Sequence, residues 1–432
     1  MGMGQSIVAQ ILAPETTALD LPDDAPRALR VLALAAGVTT APPAPPPPAP
    51  AARITRIAGF RITLRLRQTY VSAMYITPTQ QRALLRVTLA DGTEGWGECP
   101  AAAAATMPAA ARAFMGADIA NGMEAARARF ARISFDNRDG RNGWAAIAAV
   151  EAAAWDALAR TRNLPLAALF GGATRPLPIA CPLPAAIMAA DATRADLPAH
   201  MADHGNAARL VEHAQEIGAR SGARAFKYKS AGCDPAWDIA CMTALRRAFP
   251  EAALRFDPNA AYSTRDALNI GAALRELAPE FLEDPCDGIE GLARITAALP
   301  GMRVASNMAV IEPSHLLAAH RRGLQLTVLG DAFLWGGLQG LADMAGMARL
   351  LGLTPAVHSF YESAVATAAS AHLAAAFDMD APHAVDCGVP GLADDITDDA
   401  PEIRNGMLHT PAGPGISVTP TRLPEPFFAL EA

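Results

Sequence analysis

Two patterns of apolar and polar residues follow one another along this 432-residue chain. From about residue 53 to residue 98, apolar and polar positions alternate with period two in RITRIAGFRITLRL and in RALLRVTLADGTEGWGE, and the second run contains the turn signal DGTEG. This alternation predicts an antiparallel sheet. Residues 101–170 are rich in alanine, and stretches such as WAAIAAVEAAAWDALART predict helices.

From about residue 177, short apolar runs alternate with longer helical segments. Strands that alternate with helices predict a parallel sheet with helical crossovers. About eight such runs within about 210 residues favour a β/α barrel over a doubly wound sheet. No GxGxxG motif opens a helix after a strand, so a dinucleotide-binding fold has no support. The apolar runs are LPIACPLP, AFKYKSA, LRFDPNA, FLEDPC, RVASNM, QLTVLGD, TPAVHS and HAVDC.

Nearly every predicted barrel strand carries a charged or amide side chain at its carboxyl end. In a β/α barrel those ends form the active-site face, so we predict an active site there. Helix capping accounts for two or three such residues, but not for seven consecutive strands. The strand-end residues are Lys227, Lys229, Asp257, Asn259, Glu283, Asp284, Asn307, Asp331, His358 and Asp386.

Three of these residues are oxygen donors on adjacent predicted strands: Asp257, Glu283 and Asn307. Hard oxygen ligands suit Mg²⁺, which takes a few protein ligands and leaves positions for substrate and water. A soft-metal site would need Cys or His, and neither stands at these three positions. We therefore predict that Mg²⁺ is the cofactor and that these three residues bind it.

Two lysines, Lys227 and Lys229, stand one residue apart in the predicted strand AFKYKSA. Successive side chains of a strand alternate between its faces, so both ammonium groups point the same way. An ammonium beside a divalent cation and a second ammonium loses its proton more readily. We therefore expect Lys229 to act as a general base, and Lys227 to stay charged and balance a substrate oxyanion.

On the other side of the predicted metal site, His358 and Asp331 end neighbouring strands. A carboxylate beside an imidazole fixes its tautomer and raises its basicity, so we predict a His–Asp dyad. The site then has a base on each face of a metal-bound substrate. This arrangement suits proton abstraction next to a carboxylate, with the metal stabilising the enediolate.

Composition narrows the range of partners. Hydrophobic residues make up 51% and charged residues 18% of the chain, and the net charge is −7 without a long basic run, which argues against a nucleic-acid partner. No run of about 20 apolar residues is present, so we expect no membrane span. The six cysteines form no CxxC pair, which argues against a disulfide framework and fits a reducing cytoplasm.

The beginning of the chain has a different composition from the rest. Residues 41–52, APPAPPPPAPAA, are rich in proline and alanine, as in a stiff linker or a disordered tail. We therefore expect residues 1–52 to form a disordered N-terminal extension, with ordered structure beginning near Arg53.

From about residue 53 to residue 432 the chain resembles the enolase superfamily, in particular the mandelate racemase/muconate lactonizing enzyme family and its glucarate dehydratase-like branch. The resemblance implies an α+β capping domain over residues 53–172, a modified TIM-type (β/α)7β barrel over residues 173–390, and a segment 391–432 that returns to the capping domain. The motifs are GTEGWGE, AVEAAAWDALARTRNLPLAALFGG, KYK, RFDPNAAYS, FLEDPC, ASNM, GDAFLW, VHS and NGMLHTPAGPGISV.

Three positions narrow the branch within this family. Asn307 in ASNM stands where most relatives have an acidic ligand, and glucarate dehydratases likewise pair EDPC with an asparagine. Asp331 stands where the cycloisomerase branch needs a lysine, and VDCG lacks the paired aspartates of dipeptide epimerases. The resemblance thus implies a Mg²⁺-dependent dehydratase of a sugar acid or related hydroxy acid; the alternative is a racemase or epimerase of a 2-hydroxy acid.

By the same resemblance, Lys229 and the His358–Asp331 dyad are the two acid–base agents, and the partner is a small carboxylic acid.

The capping loop TYVSAMYITPT lacks a basic group for a second carboxylate, and Arg82 is the nearest cationic candidate, which favours a less polar or smaller acid than glucarate. Relatives are commonly dimers or larger, so we expect a homo-oligomer. The residues assigned to substrate binding are Asn259, Asp386, Ser359 and Tyr70.

Overall fold

The computed structural model describes residues 3–41, 52–120, 122–133, 140–203, 205–359, 361–380 and 382–432. Within these ranges the strands are β1 (Ala18–Leu19), β2 (Thr39–Thr40), β3 (Ile54–Val71), β4 (Ile76–Leu89), β5 (Glu94–Pro100), β6 (Pro176–Leu183), β7 (Ala225–Lys229), β8 (Ala253–Asp257), β9 (Phe281–Glu283), β10 (Val304–Ser306), β11 (Leu326–Gly330), β12 (Thr354–Val357), β13 (Val385–Asp386), β14 (Ile403–Arg404), β15 (Met407–His409) and β16 (Phe428–Glu431). The helices are α1 (Met3–Leu12), α2 (Arg27–Ala35), α3 (Met107–Phe114), α4 (Glu124–Ile133), α5 (Gly140–Thr161), α6 (Leu166–Leu169), α7 (Leu197–Ala202), α8 (Gly205–Ser221), α9 (Pro235–Ala248), α10 (Thr264–Leu274), α11 (Gly288–Ala298), α12 (Pro313–Arg321), α13 (Leu338–Leu350) and α14 (Ala364–Ala376).

The capping domain contains an antiparallel sheet in the order β16–β3–β4–β5. Along β3 the side chains of Phe60, Ile62 and Leu64 are buried and the residues between them are exposed, which is the alternation that the sequence predicts. The helices α3, α4 and α5 follow the first three strands in the chain, and α5 packs across β4 and β5. The predicted α+β capping domain is therefore confirmed.

Glycines in the GWGE motif set how closely α5 approaches this sheet. A Cβ on Gly95 would lie 2.1 Å from the carbonyl oxygen of Ala153, and a Cβ on Gly97 would lie 2.0 Å from that of Ala149. Both distances are far below a van der Waals contact, so only glycine allows the helix backbone to lie against β5.

Eight parallel strands form the barrel within the described residues. Strands β6 to β12 pair in chain order, β13 pairs with β6, and one of the helices α8 to α14 lies between each pair of successive strands in the chain. Every residue of β7 and of β11 is buried, as in parallel strands that are covered on both faces. The predicted modified TIM-type (β/α)7β barrel is confirmed.

The last part of the chain returns to both domains. Strands β14 and β15 form a hairpin that pairs with β6, and β16 pairs with β3 of the capping sheet. The buried carboxylate of Asp156 in α5 accepts hydrogen bonds from the backbone N–H groups of Ile416 (2.8 Å) and Trp96 (2.9 Å). A single side chain of α5 thus holds the C-terminal segment and β5 together.

The beginning of the chain differs from the expectation of disorder. Residues 3–41 form α1, α2 and the parallel pair β1–β2, and α2 packs along the barrel helices α12 and α13. Its amphipathic sequence RALRVLALA buries Leu29, Leu32 and Ala33. Arg27 also pairs with Asp343 of α13, at 2.8 Å. The expectation overlooked this apolar stripe, whereas the proline-rich residues 42–51 lie outside the described ranges.

None of the described helices is long and apolar enough to cross a bilayer.

The close approach of α5 to β5 gives a stability prediction. We expect Gly97→Ala to lower the free energy of unfolding by about 1–3 kcal/mol, because the added methyl group overlaps the backbone of α5. Gly218→Ala in α8 is the matched control, since the nearest atom to its added Cβ is 3.7 Å away. The control should be neutral or stabilising by up to about 1 kcal/mol. Urea denaturation measures both, and equal stabilities would contradict the packing described.

Candidate active site

The strand-end side chains predicted from the sequence meet at the carboxyl-terminal face of the barrel. Alternation along β7 sends Lys227 and Lys229 into the barrel interior, while Tyr228 between them points outward and donates a hydrogen bond to Asp238 of α9, at 2.9 Å. Both lysines are buried. They are also the only two lysines in the sequence, and all its other Lys or Arg residues are arginines.

Carboxylates surround the two lysine ammonium groups. Lys229 donates a hydrogen bond to Asp257, and Lys227 donates one to Asp386. The ammonium of Lys227 also lies 3.1 Å from Oε2 of Glu283 and 3.9 Å from Oδ2 of Asp257. These contacts with carboxylates explain how two like charges are accommodated on one buried strand face.

The protonation of Lys229 in this structure differs from the sequence-based expectation. Burial disfavours the charged amine, but the carboxylates of Asp257 and Glu283 outweigh it and raise the pKa of Lys229 above its ordinary value. Asp386 and Glu283 likewise outweigh burial and raise the pKa of Lys227. The expected lowering for Lys229 presumed a cation on Asp257, whereas in this structure Asp257 pairs with the lysine itself.

The three predicted metal ligands have donor atoms that suit a hard cation. Burial and the neighbouring Asp257 raise the pKa of Glu283 well above its ordinary value, whereas Lys229 and Lys227 outweigh burial and lower the pKa of Asp257. The amide oxygen of Asn307 is buried and accepts no hydrogen bond from any described residue. Such an orphaned acceptor beside two carboxylates fits Mg²⁺.

An amide is needed to complete this ligand set. In the described part of the chain, no three His, Cys, Asp and Glu side chains gather around one point as a ready metal centre. The set therefore depends on Asn307 and on the release of Asp257 and Glu283 from their lysine partners.

The imidazole of His358 lies between Asp331 and Asn307. Its Nδ1 is 3.4 Å from Oδ2 of Asp331, and its Nε2 is 2.9 Å from Nδ2 of Asn307. Burial and the two ammonium groups of Lys227 and Lys229 hold the pKa of His358 well below its ordinary value, so the ring is neutral. Because the amide N–H₂ group donates to Nε2, the ring proton is assigned to Nδ1, facing Asp331.

Asp284 positions the loop that carries Asn307, a role that sequence reasoning missed. Its carboxylate accepts hydrogen bonds from the backbone N–H groups of Asn307 (2.8 Å) and Met308 (3.1 Å), and from the hydroxyl of Ser306 (2.6 Å). Burial raises the pKa of Asp284 to about 6. The signal in the sequence was its position directly after Glu283 in FLEDPC, which alternation sends to the opposite face.

A cavity of about 80 Å³ lies over these groups. Three residues assigned to substrate binding from the sequence, Asn259, Ser359 and Tyr70, line it together with Lys227, Lys229, Asn307 and His358. The ring of Tyr70 packs edge-on against Tyr361, with centroids 5.2 Å apart. The fourth assigned residue, Asp386, does not line this cavity, because Lys227 and Arg255 hold its carboxylate on the barrel side.

Arg255 and Asp386 belong to a chain of buried charges that sequence reasoning did not find. Nη1 of Arg255 donates to Asp386 at 2.7 Å, its Nε donates to Glu280 at 2.6 Å, and Glu280 lies 2.7 Å from Nδ1 of His383. Arg255 is fully buried in the barrel, and despite burial it lowers the pKa of Glu280 to about 2. This row of buried charges reaches Lys227 through Asp386 and holds its ammonium from the barrel side.

The capping sheet reaches the loop that follows β12 through Glu98 of the GWGE motif. Glu98 Oε1 accepts a hydrogen bond from Nε of Arg82 at 2.6 Å, and Oε2 accepts one from the hydroxyl of Ser363 at 2.5 Å. The guanidinium of Arg82 also lies 4.9 Å above the ring of Phe333. Arg82, the cation expected near the capping loop, is therefore buried in a structural ion pair and does not line the cavity.

These features define a class of protein: a β/α barrel with a capping domain, whose strand ends gather lysines, carboxylates, an amide and a histidine. Two family models match the chain, one described as an enolase C-terminal domain-like family over residues 209–423 and one as the N-terminal domain of mandelate racemase/muconate lactonizing enzymes over residues 60–171. The chain belongs to the enolase superfamily, in the mandelate racemase/muconate lactonizing enzyme family.

Curated relatives carry more than one activity in their names. The chain is 32% identical to a probable glucarate dehydratase of Streptomyces coelicolor, over 63% of each protein, which is less than two thirds of that relative. It is 29% identical to an aromatic dipeptide epimerase of Herpetosiphon aurantiacus, over 76% of this chain and 90% of the relative. The names of the relatives thus leave the reaction open within the superfamily.

Solved structures of similar proteins share the fold over most of the chain. An enolase from Streptomyces coelicolor has 33% identity and a TM-score of 0.73, with 85% of this chain and 94% of that chain covered. An enolase from Thermobispora bispora in complex with magnesium and formate has 28% identity and a TM-score of 0.75, with 85% and 90% covered.

The buried charge chain gives a second stability prediction. We expect Arg255→Met to lower the free energy of unfolding by about 3–5 kcal/mol, because Glu280 and Asp386 lose their shared cation while buried. The control is Arg404→Met, which breaks an exposed pair with Glu402 (3.6 Å) and should cost less than about 1 kcal/mol. Chemical denaturation compares the two, and a small loss for Arg255→Met would show that the chain does not stabilise the barrel.

Proposed function

We propose that the protein is a Mg²⁺-dependent dehydratase of a sugar acid or related hydroxy acid. It would remove the proton next to the carboxylate and eliminate the neighbouring hydroxyl group as water, which yields a 2-keto acid. The observation that carries the proposal is the shared cavity, in which Lys229 of the second barrel strand and His358 of the seventh face one space together with Asn307.

Asp257, Glu283 and Asn307 would hold the Mg²⁺. When bound, this ion supplies positive charge that stabilises the enediolate formed from the substrate. The magnesium in the Thermobispora bispora relative and the orphaned amide oxygen of Asn307 support this assignment.

Lys229 would act as the base that takes the proton next to the carboxylate. Its amine must be neutral for that step, so the contact with Asp257 seen in this structure has to be given up first. Lys227 keeps its charge because Asp386 and the Arg255 chain hold it from the barrel side, and its ammonium would face the substrate carboxylate.

His358 would deliver a proton to the departing hydroxyl group. The C–O bond breaks with its electron pair on oxygen, the proton from the imidazolium completes the water molecule, and the resulting enol becomes the 2-keto acid. The two cationic lysines suppress the imidazolium in this structure, so loss of the proton from Lys229 favours a charged His358. Asp331 would stabilise that charge through Nδ1.

The alternative is a racemase or epimerase of a 2-hydroxy acid on the same scaffold. In that reaction His358 would return a proton to the carbon that Lys229 deprotonated, rather than to a hydroxyl group. The aromatic dipeptide epimerase among the relatives is the observation that favours this alternative. Dehydration is preferred because the probable glucarate dehydratase is also a relative and because Asn307, not an acidic residue, completes the ligand set.

The first functional prediction concerns the two acid–base residues. With Mg²⁺ and a panel of acid sugars, we expect Lys229→Ala and His358→Asn each to lower 2-keto acid formation by about 100- to 10,000-fold. His315→Asn, at a more exposed histidine outside the cavity, is the control and should retain activity. Semicarbazide detects the keto acid, while α-proton exchange in D₂O without keto acid would favour the racemase. Full activity of both variants would refute the two-residue mechanism.

The second functional prediction concerns the metal and does not need turnover. Because the chain has two lysines, ¹⁵N-lysine labelling reports only Lys227 and Lys229. We expect Mg²⁺ to shift the Lys229 side-chain signal as Asp257 exchanges its ammonium partner for the ion, and Asn307→Leu to weaken that titration by at least about 10-fold. NaCl at equal ionic strength is the control. Identical spectra with and without Mg²⁺ would rule out the assigned ligand set.

A further inference from the structure

Among its described residues, the capping domain contributes one charged side chain to the cavity. Five of those residues line it, and four of the five are neutral. The fifth is Arg141, the second residue of α5, which lies outside every motif that the sequence analysis used. The five residues are Tyr70, Ser72, Met74, Tyr75 and Arg141.

The guanidinium of Arg141 is available for a ligand. Its side chain is exposed, and no hydrogen bond or ion pair from the described residues engages it. Arg82, the other cation near the capping loop, is by contrast buried against Glu98. A cation that lines a cavity and that no described residue engages is suited to an anionic group of a ligand.

The beginning of α5 is held firmly on the barrel, which fixes where Arg141 stands. The ring of Trp144, one turn along, packs on Gly336, where a Cβ would lie only 1.9 Å from the ring. Two turns further, the buried carboxylate of Glu151 lies against Gly337, where a Cβ would lie 1.8 Å from Oε2. Both glycines belong to the loop after β11, whose Leu334 lines the same cavity.

A second contact ties this helix to the same loop. Nη1 of Arg127 in α4 donates to Glu151 at 2.9 Å and to the carbonyl oxygen of Gly336 at 2.6 Å. A shift of the first turns of α5 would therefore break the contacts of Trp144, Glu151 and Arg127 with the loop after β11, so these contacts position Arg141 at the cavity.

We propose that Arg141 binds an anionic group at the end of the substrate remote from the reacting carboxylate. The substrate is then an acid with two anionic ends, the second being a carboxylate or a phosphate. This assignment rests on the proposed function in one respect, namely that the reacting carboxylate lies at Lys227. It replaces the sequence-based expectation of a less polar or smaller acid, which followed from the lack of a basic group in the capping loop.

Calorimetric binding in the presence of Mg²⁺ tests this without turnover. The ligand pairs are tartrate against threonate and glucarate against gluconate, with 4-phosphoerythronate as the phosphate arm. We expect Arg141→Gln to weaken binding of the acids with two anionic ends by about 10- to 100-fold, as for the loss of a charge-assisted hydrogen bond, and to change threonate and gluconate by less than about 2-fold. Arg141→Lys should lie between, since it keeps the charge and loses the bidentate geometry.

The exposed Arg129 of α4, which does not line the cavity, provides the matched control as Arg129→Gln. Equal weakening of both ligand types in Arg141→Gln, unchanged binding of both, or no preference of the wild-type protein for a second anion would each overturn the inference. Binding that depends on Arg141 without any keto acid or proton exchange would refute the dehydratase and leave this inference standing. Keto acid formation insensitive to Arg141 would do the reverse.

Discussion

The ion pairs between two buried lysines and three carboxylates are the interaction on which the rest of this site depends. Lys227 and Lys229 lie side by side inside the barrel, a placement that burial and mutual repulsion both oppose. Asp257, Glu283 and Asp386 make it possible by supplying negative charge from three other strands. Two of them, Asp257 and Glu283, are also the carboxylates that a metal cation would bind. Charge balance in the resting protein and metal binding are therefore alternatives for Asp257 and Glu283, while Asp386 is reserved for Lys227.

Buried carboxylates of the capping domain hold this domain to the barrel loops and to the C-terminal segment. Glu98 joins β5 to Ser363 beyond β12, Glu151 lies against the glycines beyond β11, and Asp156 holds the C-terminal segment. Each contacts a barrel loop or a segment next to one, so the loops that carry His358 and Asp331 are braced from above. On the barrel side, Arg255 holds Asp386, which in turn holds the ammonium of Lys227. The cavity therefore lies between two rigid layers, and its specificity depends on the side chains that face it.

The strand ends were predictable from the sequence because period-two alternation and the barrel repeat decide which side chains share a face. Asp284 and Arg255 were missed because their roles depend on hydrogen bonds to residues distant in sequence, for which no local pattern exists. Strand position likewise did not reveal that Asp386, which was assigned to substrate binding, pairs with Lys227 and Arg255 across the barrel and does not line the cavity. The order of residues 3–41 was missed although the apolar stripe of α2 is visible in the sequence, because a helix of nine residues is marginal alone and depends on its packing on α13.

The choice of cation at each position follows the chemistry that the position requires. Arginine provides the cations of the capping domain and the central cation of the charge chain, and it cannot be deprotonated in a protein. That permanence suits Arg255, which must stay charged while buried between Asp386 and Glu280. It also suits Arg141 as a fixed partner for an anion. A base must give up its proton, and lysine does so when its carboxylate partner is withdrawn. Both lysines of the chain lie in this site. A metal on Asp257 and Glu283 would leave Lys227 its contact with Asp386, whereas Lys229 would lose Asp257, the carboxylate to which it donates its hydrogen bond.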